Sequence, residues 1–125
     1  MSLTMKIENK RPGYFLVTLS GRLDGQTFAE CEAQIAPLLV PSTKIIMFDM
    51  TGLNYISSMG LRIVLKVRKF VEGNGGSFHT INMQPQIEKV FEIANLLGDM
   101  KLFVSVEEAD QYFDAMQEKV LNDEI

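Results

Sequence analysis

Apolar and polar residues alternate along Met5-Lys6-Ile7-Glu8-Asn9, the period-two pattern of a strand with one buried face. Arg11-Pro12-Gly13 marks a turn. Tyr14-Phe15-Leu16-Val17-Thr18-Leu19-Ser20 follows as a second strand, rich in aromatic and β-branched residues, and the two pair as a hairpin. Gly21-Arg22-Leu23-Asp24-Gly25 breaks the pattern. Phe28, Cys31, Ile35, Leu38 and Leu39 then recur at helical spacing, on a face that Pro37 kinks or ends early. Lys44-Ile45-Ile46-Met47-Phe48-Asp49-Met50 runs almost without polar interruption, which predicts a central strand covered on both faces. Thr51 to Ile56 reads as a loop.

A second helix runs from Ser57-Ser58 to about Val71, with Gly60, Ile63, Val64, Val67, Phe70 and Val71 inward. Gly73-Asn74-Gly75-Gly76 stops it. Ser77 to Met83 predicts a strand, and strand, helix and strand at this length make a right-handed parallel crossover. Pro85 opens a third helix with Ile87, Val90, Phe91, Ala94 and Leu97 inward. Gly98-Asp99 turns the chain into a short strand, Lys101-Leu102-Phe103-Val104. Ser105-Val106-Glu107-Glu108 has the capping-box form and starts a last helix, with Ala109, Tyr112, Phe113, Met116 and Val120 inward. The order predicts a single α/β domain over residues 5–120, a mixed sheet of about five strands packed with four helices. Residues 1–4 are expected to be disordered or extraneous, and 121–125 a frayed tail.

Composition narrows the class. The 125 residues are 46% hydrophobic and 22% charged, close to the average of soluble globular domains. No apolar run approaches the roughly 20 residues that span a bilayer, and MSLTMKIENK contains no secretory apolar core. With Cys31 alone, no internal disulfide or multi-cysteine metal site can form, and a cytoplasmic setting is expected. The net charge of −4 argues against nucleic acid as a partner. His79 stands in a predicted strand with no second histidine or cysteine at ligand spacing, so no metal and no cofactor is expected. No nucleophile–base pair supports an enzyme. The glycines at 73–76 follow a helix and precede a strand, the reverse of a phosphate-cradling loop. Cys31 lies on an apolar stripe and reads as a packed, inert thiol.

The segment from Asp49 to Leu61 leaves the C-terminal end of a central strand and enters a helix, the edge of an α/β sheet where function collects. Ser57 or Ser58 is the N-cap, and a structural cap is the ordinary use of such a serine. The same geometry suits a phosphoryl group, because the positive end of the helix and its free N–H groups favour an anion. A phosphoryl group adds about −1.5 to −2 charges, which on an exposed rim would disrupt a partner surface built for a neutral hydroxyl. Asp24 and Arg22 are expected at the same rim, between a strand and a helix. Arg62, Lys66 and Lys69 form a basic stripe, either a solvated face or half of an interface with an acidic partner. Met50 and Met59 are adaptable contacts or core. The partner-binding set is therefore Arg22, Asp24, Asn54, Ser57, Met59, Arg62 and Lys66.

From Met5 to Met116 the chain resembles the STAS domain, and most closely the bacterial anti-sigma factor antagonists. The resemblance is carried by Leu19-Ser20-Gly21-Arg22-Leu23-Asp24, the apolar strand ending at Asp49, Tyr55-Ile56-Ser57-Ser58-Met59-Gly60-Leu61, and Val90-Phe91-Glu92-Ile93. It implies a non-enzymatic module that binds an anti-sigma factor serine kinase and so frees a sigma factor. It also implies that the kinase uses ATP to phosphorylate a serine at the start of the second helix, ending the binding, and that a metal-dependent serine phosphatase restores it. Position by position the acceptor is Ser58, followed by Gly60 and Leu61. Ser57 stands where the family's best-studied pattern has an aspartate and Met59 where it has a second serine, so Ser57 remains an alternative acceptor. A monomer or weak dimer without membrane insertion is expected. Two other readings stay open: a constitutive adaptor of a transporter or signalling assembly, without phosphorylation, and a nucleotide- or small-ligand-binding domain.

Overall fold

Arg22 donates its backbone N–H to the Ser2 carbonyl at 3.0 Å, so the first strand begins before the alternating pattern does. The computed structural model describes residues 2–97 and 105–122. Within it β1, Leu3–Arg11, pairs antiparallel with β2, Tyr14–Leu23, from Leu3 opposite Gly21 to Arg11 opposite Tyr14. Leu3 and Thr4 are therefore sheet residues rather than a disordered end; β2 continues through Gly21 and gives them a ladder to join. Gly13 turns the hairpin at φ +77°, a conformation that a side chain would strain.

Helix α1, Phe28–Ile35, stops where Pro37 has no N–H to give, and Ala36–Leu38 tightens into a 3-10 turn. Strand β3, Ile45–Ile56, runs parallel to β2 along its whole length, from Tyr14 opposite Ile45 to Leu23 opposite Ile56. The stretch from Thr51 to Ile56 is thus strand, not loop. Its turn-prone residues are absorbed by register shifts between Thr18 and Ser20 and between Gly21 and Arg22. Helix α2, Ser58–Gly73, crosses to β4, Ser77–Ile81, which pairs parallel with β3 only as far as Asp49 opposite Ile81. Helices α3, Pro85–Leu97, and α4, Val106–Leu121, complete the described chain.

Among the described residues the molecule is a single α/β domain with a mixed sheet in the order β1-β2-β3-β4 and four α-helices. The expected turn at Gly98-Asp99 and the fifth strand at Lys101–Val104 lie outside the described residues, as do the last three positions of the expected tail. Leu121 itself closes α4, with Asn122 as its C-cap.

Strand β3 is central but covered on one face only. Val17, Leu19, Ile46, Phe48 and Met50 are fully buried, and Phe48 meets Phe78 edge to face at 5.2 Å. On the opposite face Leu16, Met47 and His79 lie side by side across three strands; the first two are half-buried and His79 is exposed. The apolar residues on both sides of β3 reflect its central position, while the helices bury one side alone. Helix α4 turns inward through Ala109, Phe113 and Gln117, and Tyr112, expected inside, is 39% exposed. Among the described residues, no helix is long and apolar enough to cross a membrane.

Candidate functional site

Strand β3 delivers Ile56 to the edge of the sheet, and the chain enters α2 at Ser57. Ser57 is the N-cap: its hydroxyl accepts the Gly60 N–H at 3.2 Å, while its own N–H donates to the Leu23 carbonyl at 2.9 Å. Gly60 is required by the close approach of α2 to β2. A Cβ there would lie 2.6 Å from the Leu23 side chain and 2.7 Å from its carbonyl oxygen.

Ser58 opens the helix. The exposed rim expected for it is not what the fold builds. Ser58 is 0% exposed and Ser57 3%, and three side chains of α4 bond to this junction. The Ser58 N–H donates to Asp110 Oδ1 at 2.8 Å. The Ile56 N–H donates to Gln117 Oε1 at 3.1 Å, and Gln117 Nε2 donates back to the Ile56 carbonyl at 2.8 Å. The Tyr55 hydroxyl donates to Asp114. The Ser58 hydroxyl itself is buried with no hydrogen-bond partner among the described residues. A buried hydroxyl in that state is unusual and costs roughly 1–3 kcal/mol.

The expected partner-binding residues divide between two sides of this junction. Arg22 and Asn54, with Tyr55, line a polar cleft of about 520 Å³ that is closed on the far side by Asp114, Gln117 and Glu118 of α4. The Arg22 guanidinium stacks over the Tyr55 ring at 4.0 Å and its Nε reaches Asp24 Oδ2 at 3.3 Å. Burial, followed by the hydrogen bond to Asp114, raises the Tyr55 phenol above its ordinary value. Asp24 builds the turn into α1, accepting the N–H groups of Gln26 at 2.9 Å and Thr27 at 3.2 Å. Burial pushes the Asp24 carboxyl up, but these bonds and the one from Arg22 outweigh it and hold the group below its usual value.

Met59, Arg62 and Lys66 lie on the other side, in a shallow groove with Phe28 and Glu32 between α1 and α2. Arg62, Lys66 and Lys69 are exposed, and Lys66 pairs with Glu32 at 3.0 Å. Met50 belongs to the core, whereas Met59 is half-buried. Cys31 is fully buried, and that burial, with the nearby Glu32 and Glu30, pushes its thiol up to about 12.

Sequence reasoning missed Asp110, Asp114 and Gln117. One signal was present: Gln117 continues the inward positions Ala109 and Phe113 at steps of four, so a polar side chain sits on an apolar stripe. Gln84 and Gln86 were missed as well. Strand β3 has no β4 neighbour beyond Asp49. There Gln84 Nε2 donates to the Thr51 carbonyl at 2.8 Å and Gln86 Nε2 to the Asn54 carbonyl at 3.0 Å. With Gln117 on Ile56, side-chain amides serve the backbone that a neighbouring strand would otherwise serve. No group of three or more metal-ligating side chains occurs among the described residues.

The chain is similar to known proteins. A model of the STAS domain family matches residues 6–109. The chain is 32% identical over 98 residues to BtrV of Bordetella bronchiseptica, a candidate anti-sigma factor antagonist, across 78% of this chain and 82% of that protein. The structure of the anti-sigma factor antagonist SpoIIAA in its unphosphorylated form superposes with a TM-score of 0.64 at 24% identity, covering 74% of this chain and 82% of that one. The phosphorylated form of SpoIIAA, a Bacillus cell fate determinant, gives 0.61 at 23% identity over 76% of this chain and 86% of that one.

Proposed function

The chain belongs to the STAS domain family, and from that premise we propose that it works as an anti-sigma factor antagonist, a non-enzymatic module that binds an anti-sigma factor serine kinase and releases a sigma factor. Phosphorylation of Ser58 ends the binding. The γ-phosphoryl group of ATP moves to Ser58 Oγ: the new Oγ–P bond forms, the bond from that phosphorus to the bridging oxygen breaks, ADP leaves with its electron pair, and the hydroxyl proton passes to a base. A metal-dependent serine phosphatase returns the hydroxyl by hydrolysis, releasing inorganic phosphate.

The observation that supports this reading is the Ser58 hydroxyl at the first helical position of α2, unpartnered where an anion is favoured. Its neighbours agree with it. Arg62 presents exposed positive charge one turn along the same helix, and Lys66, one turn further, shares its charge with Glu32, a face suited to an acidic partner surface. Ser57 is engaged as the cap, which favours Ser58 as the acceptor. Incubation with the anti-sigma factor kinase of the same genome and ATP, followed by mass spectrometry, tests the switch. Phosphate on Ser58 and loss of kinase binding are expected, and an unmodified Ser57 and Ser58 would reject it.

The closure of both serines also favours a second reading, a constitutive adaptor that is never phosphorylated. That reading requires the same incubation to leave the chain unmodified and its binding intact.

A further inference from the structure

The helices bury one face of the sheet and leave the other open, and the strand registers fix what the open face carries. Its central strands set Tyr14 beside Ile45 and, two residues on, Leu16 beside Met47, all half-buried. Strand β1 flanks them with Glu8 beside Leu16 and Lys6 beside Thr18. On the opposite margin β4 sets His79 beside Met47 and Ile81 beside Asp49, and Ile81 is 37% exposed. Large apolar side chains thus run down the middle, with a carboxylate and cations on one margin and an imidazole on the other. Apolar surface rimmed by polar groups marks a site of association.

We propose that a second copy of this chain docks on the open face, the two sheets packing about a two-fold axis that runs along the strands between β2 and β3. Stacked sheets lie about 10 Å apart with their strands roughly aligned, and a two-fold pair must be complementary to itself. Charge selects the axis. A two-fold across the strands, through the Leu16–Met47 row, lays each strand over its own copy. Glu8 then meets Glu8, His79 meets His79, and Lys6 falls over Arg11, so like charges face each other. The axis along the strands lays β1 over β4 and β2 over β3 instead. Leu16 then meets Met47, Tyr14 meets Ile45, and Glu8 meets His79, whose ring can donate to the carboxylate. In the single chain Glu8 accepts from Lys10 at 3.0 Å and His79 Nε2 meets Ser77 Oγ at 3.1 Å, both exposed contacts of little strength. Four strands about 4.8 Å apart and some 20 Å long give a footprint of roughly 400 Å² per copy. A standard stable interface covers about twice that per partner, so this pairing is weak and belongs to concentrated chain. The helices lie on the outer sides of the pair, which leaves the α1–α2 groove free on both copies.

Sedimentation equilibrium of the full chain at low salt, up to about 1 mM, tests this. The average mass is expected to climb toward that of a dimer, and a chain that stays monomeric throughout overturns the proposal. Leu16→Glu, which puts a charge at the centre of the face, is expected to abolish the climb. Association that survives it places the contact elsewhere and overturns the proposal too. Should Leu16→Glu fail to fold, the margins carry the test. His79→Lys is expected to tighten association about threefold or more near neutral pH, because a full positive charge then meets Glu8. Adding Glu8→Gln is expected to remove that gain. No gain from His79→Lys, or a gain that persists with Glu8→Gln, overturns the two-fold arrangement.

Discussion

Gln117 and Ile56 exchange two hydrogen bonds, N–H to Oε1 at 3.1 Å and Nε2 to carbonyl at 2.8 Å, across 61 residues of sequence. Both partners are buried, and Gln117 is 2% exposed. The pair ties the last helix to the strand that carries the candidate site.

Gln117→Ala removes both bonds and strands a buried N–H and C=O. A loss of about 2–6 kcal/mol is expected in urea unfolding, since each of the two unsatisfied buried groups costs roughly 1–3 kcal/mol. Gln117→Glu keeps one acceptor but loses the donor and buries a charge, and it is expected to be at least as damaging.

Gly60→Ala improves helix propensity by up to about 1 kcal/mol, yet it is expected to destabilise the chain by about 1–3 kcal/mol through overpacking. The added methyl would meet Leu23 at 2.6 Å, and the carbonyl contact at 2.7 Å cannot be relieved by a rotamer change. Thermal melting of the variant beside the parent decides which effect wins.

Asp24 links stability to acid. Its carboxyl lies below the ordinary value of 3.8 in the folded chain, so the unfolded chain takes up the proton first. The stabilisation is present above that ordinary value and is lost as pH falls through the lower folded one. Urea midpoints measured from neutral pH into acid are expected to fall in that window. Asp24→Asn should flatten this part of the curve, as an amide has no proton to take up there.

Cys31 is expected to react with thiol reagents at least about a hundredfold more slowly in the folded chain than in urea, because a buried thiol with a pKa of about 12 supplies almost no thiolate at neutral pH. Labelling with a chromogenic disulfide reads this directly.

Lys66 and Glu32 make a solvent-exposed ion pair at 3.0 Å. Lys66→Ala is expected to move stability by less than about 0.5 kcal/mol. Arg62→Glu together with Lys66→Glu is expected to slow association with an acidic anti-sigma factor by about tenfold at low salt, and the difference should shrink as salt is added.

Much of the fold was legible in the chain. The hairpin, the end of α1 near Pro37, the serine cap of α2 and the glycine-rich stop after it all follow from local rules that act within a few residues. Thr51 to Ile56 was misread because Gly52 and Asn54 look like turn residues, while their strand geometry is imposed by β2, some 30 residues away. The site was half legible. Ser58 opens α2 as the pattern predicts, but its burial does not follow from that pattern, and Asn54 lies in β3 rather than in a loop. No local signal tells that Asp110 will reach the Ser58 N–H across 52 residues.

Gln84, Gln86 and Gln117 have a consequence for how this molecule behaves in a crowd. A strand end lacking a neighbour is a template on which a second chain can add its own, the usual start of runaway association. Here three amide side chains occupy the carbonyls of Thr51, Asn54 and Ile56. The far half of β3 is thereby denied to foreign strands without the cost of an extra strand in the domain.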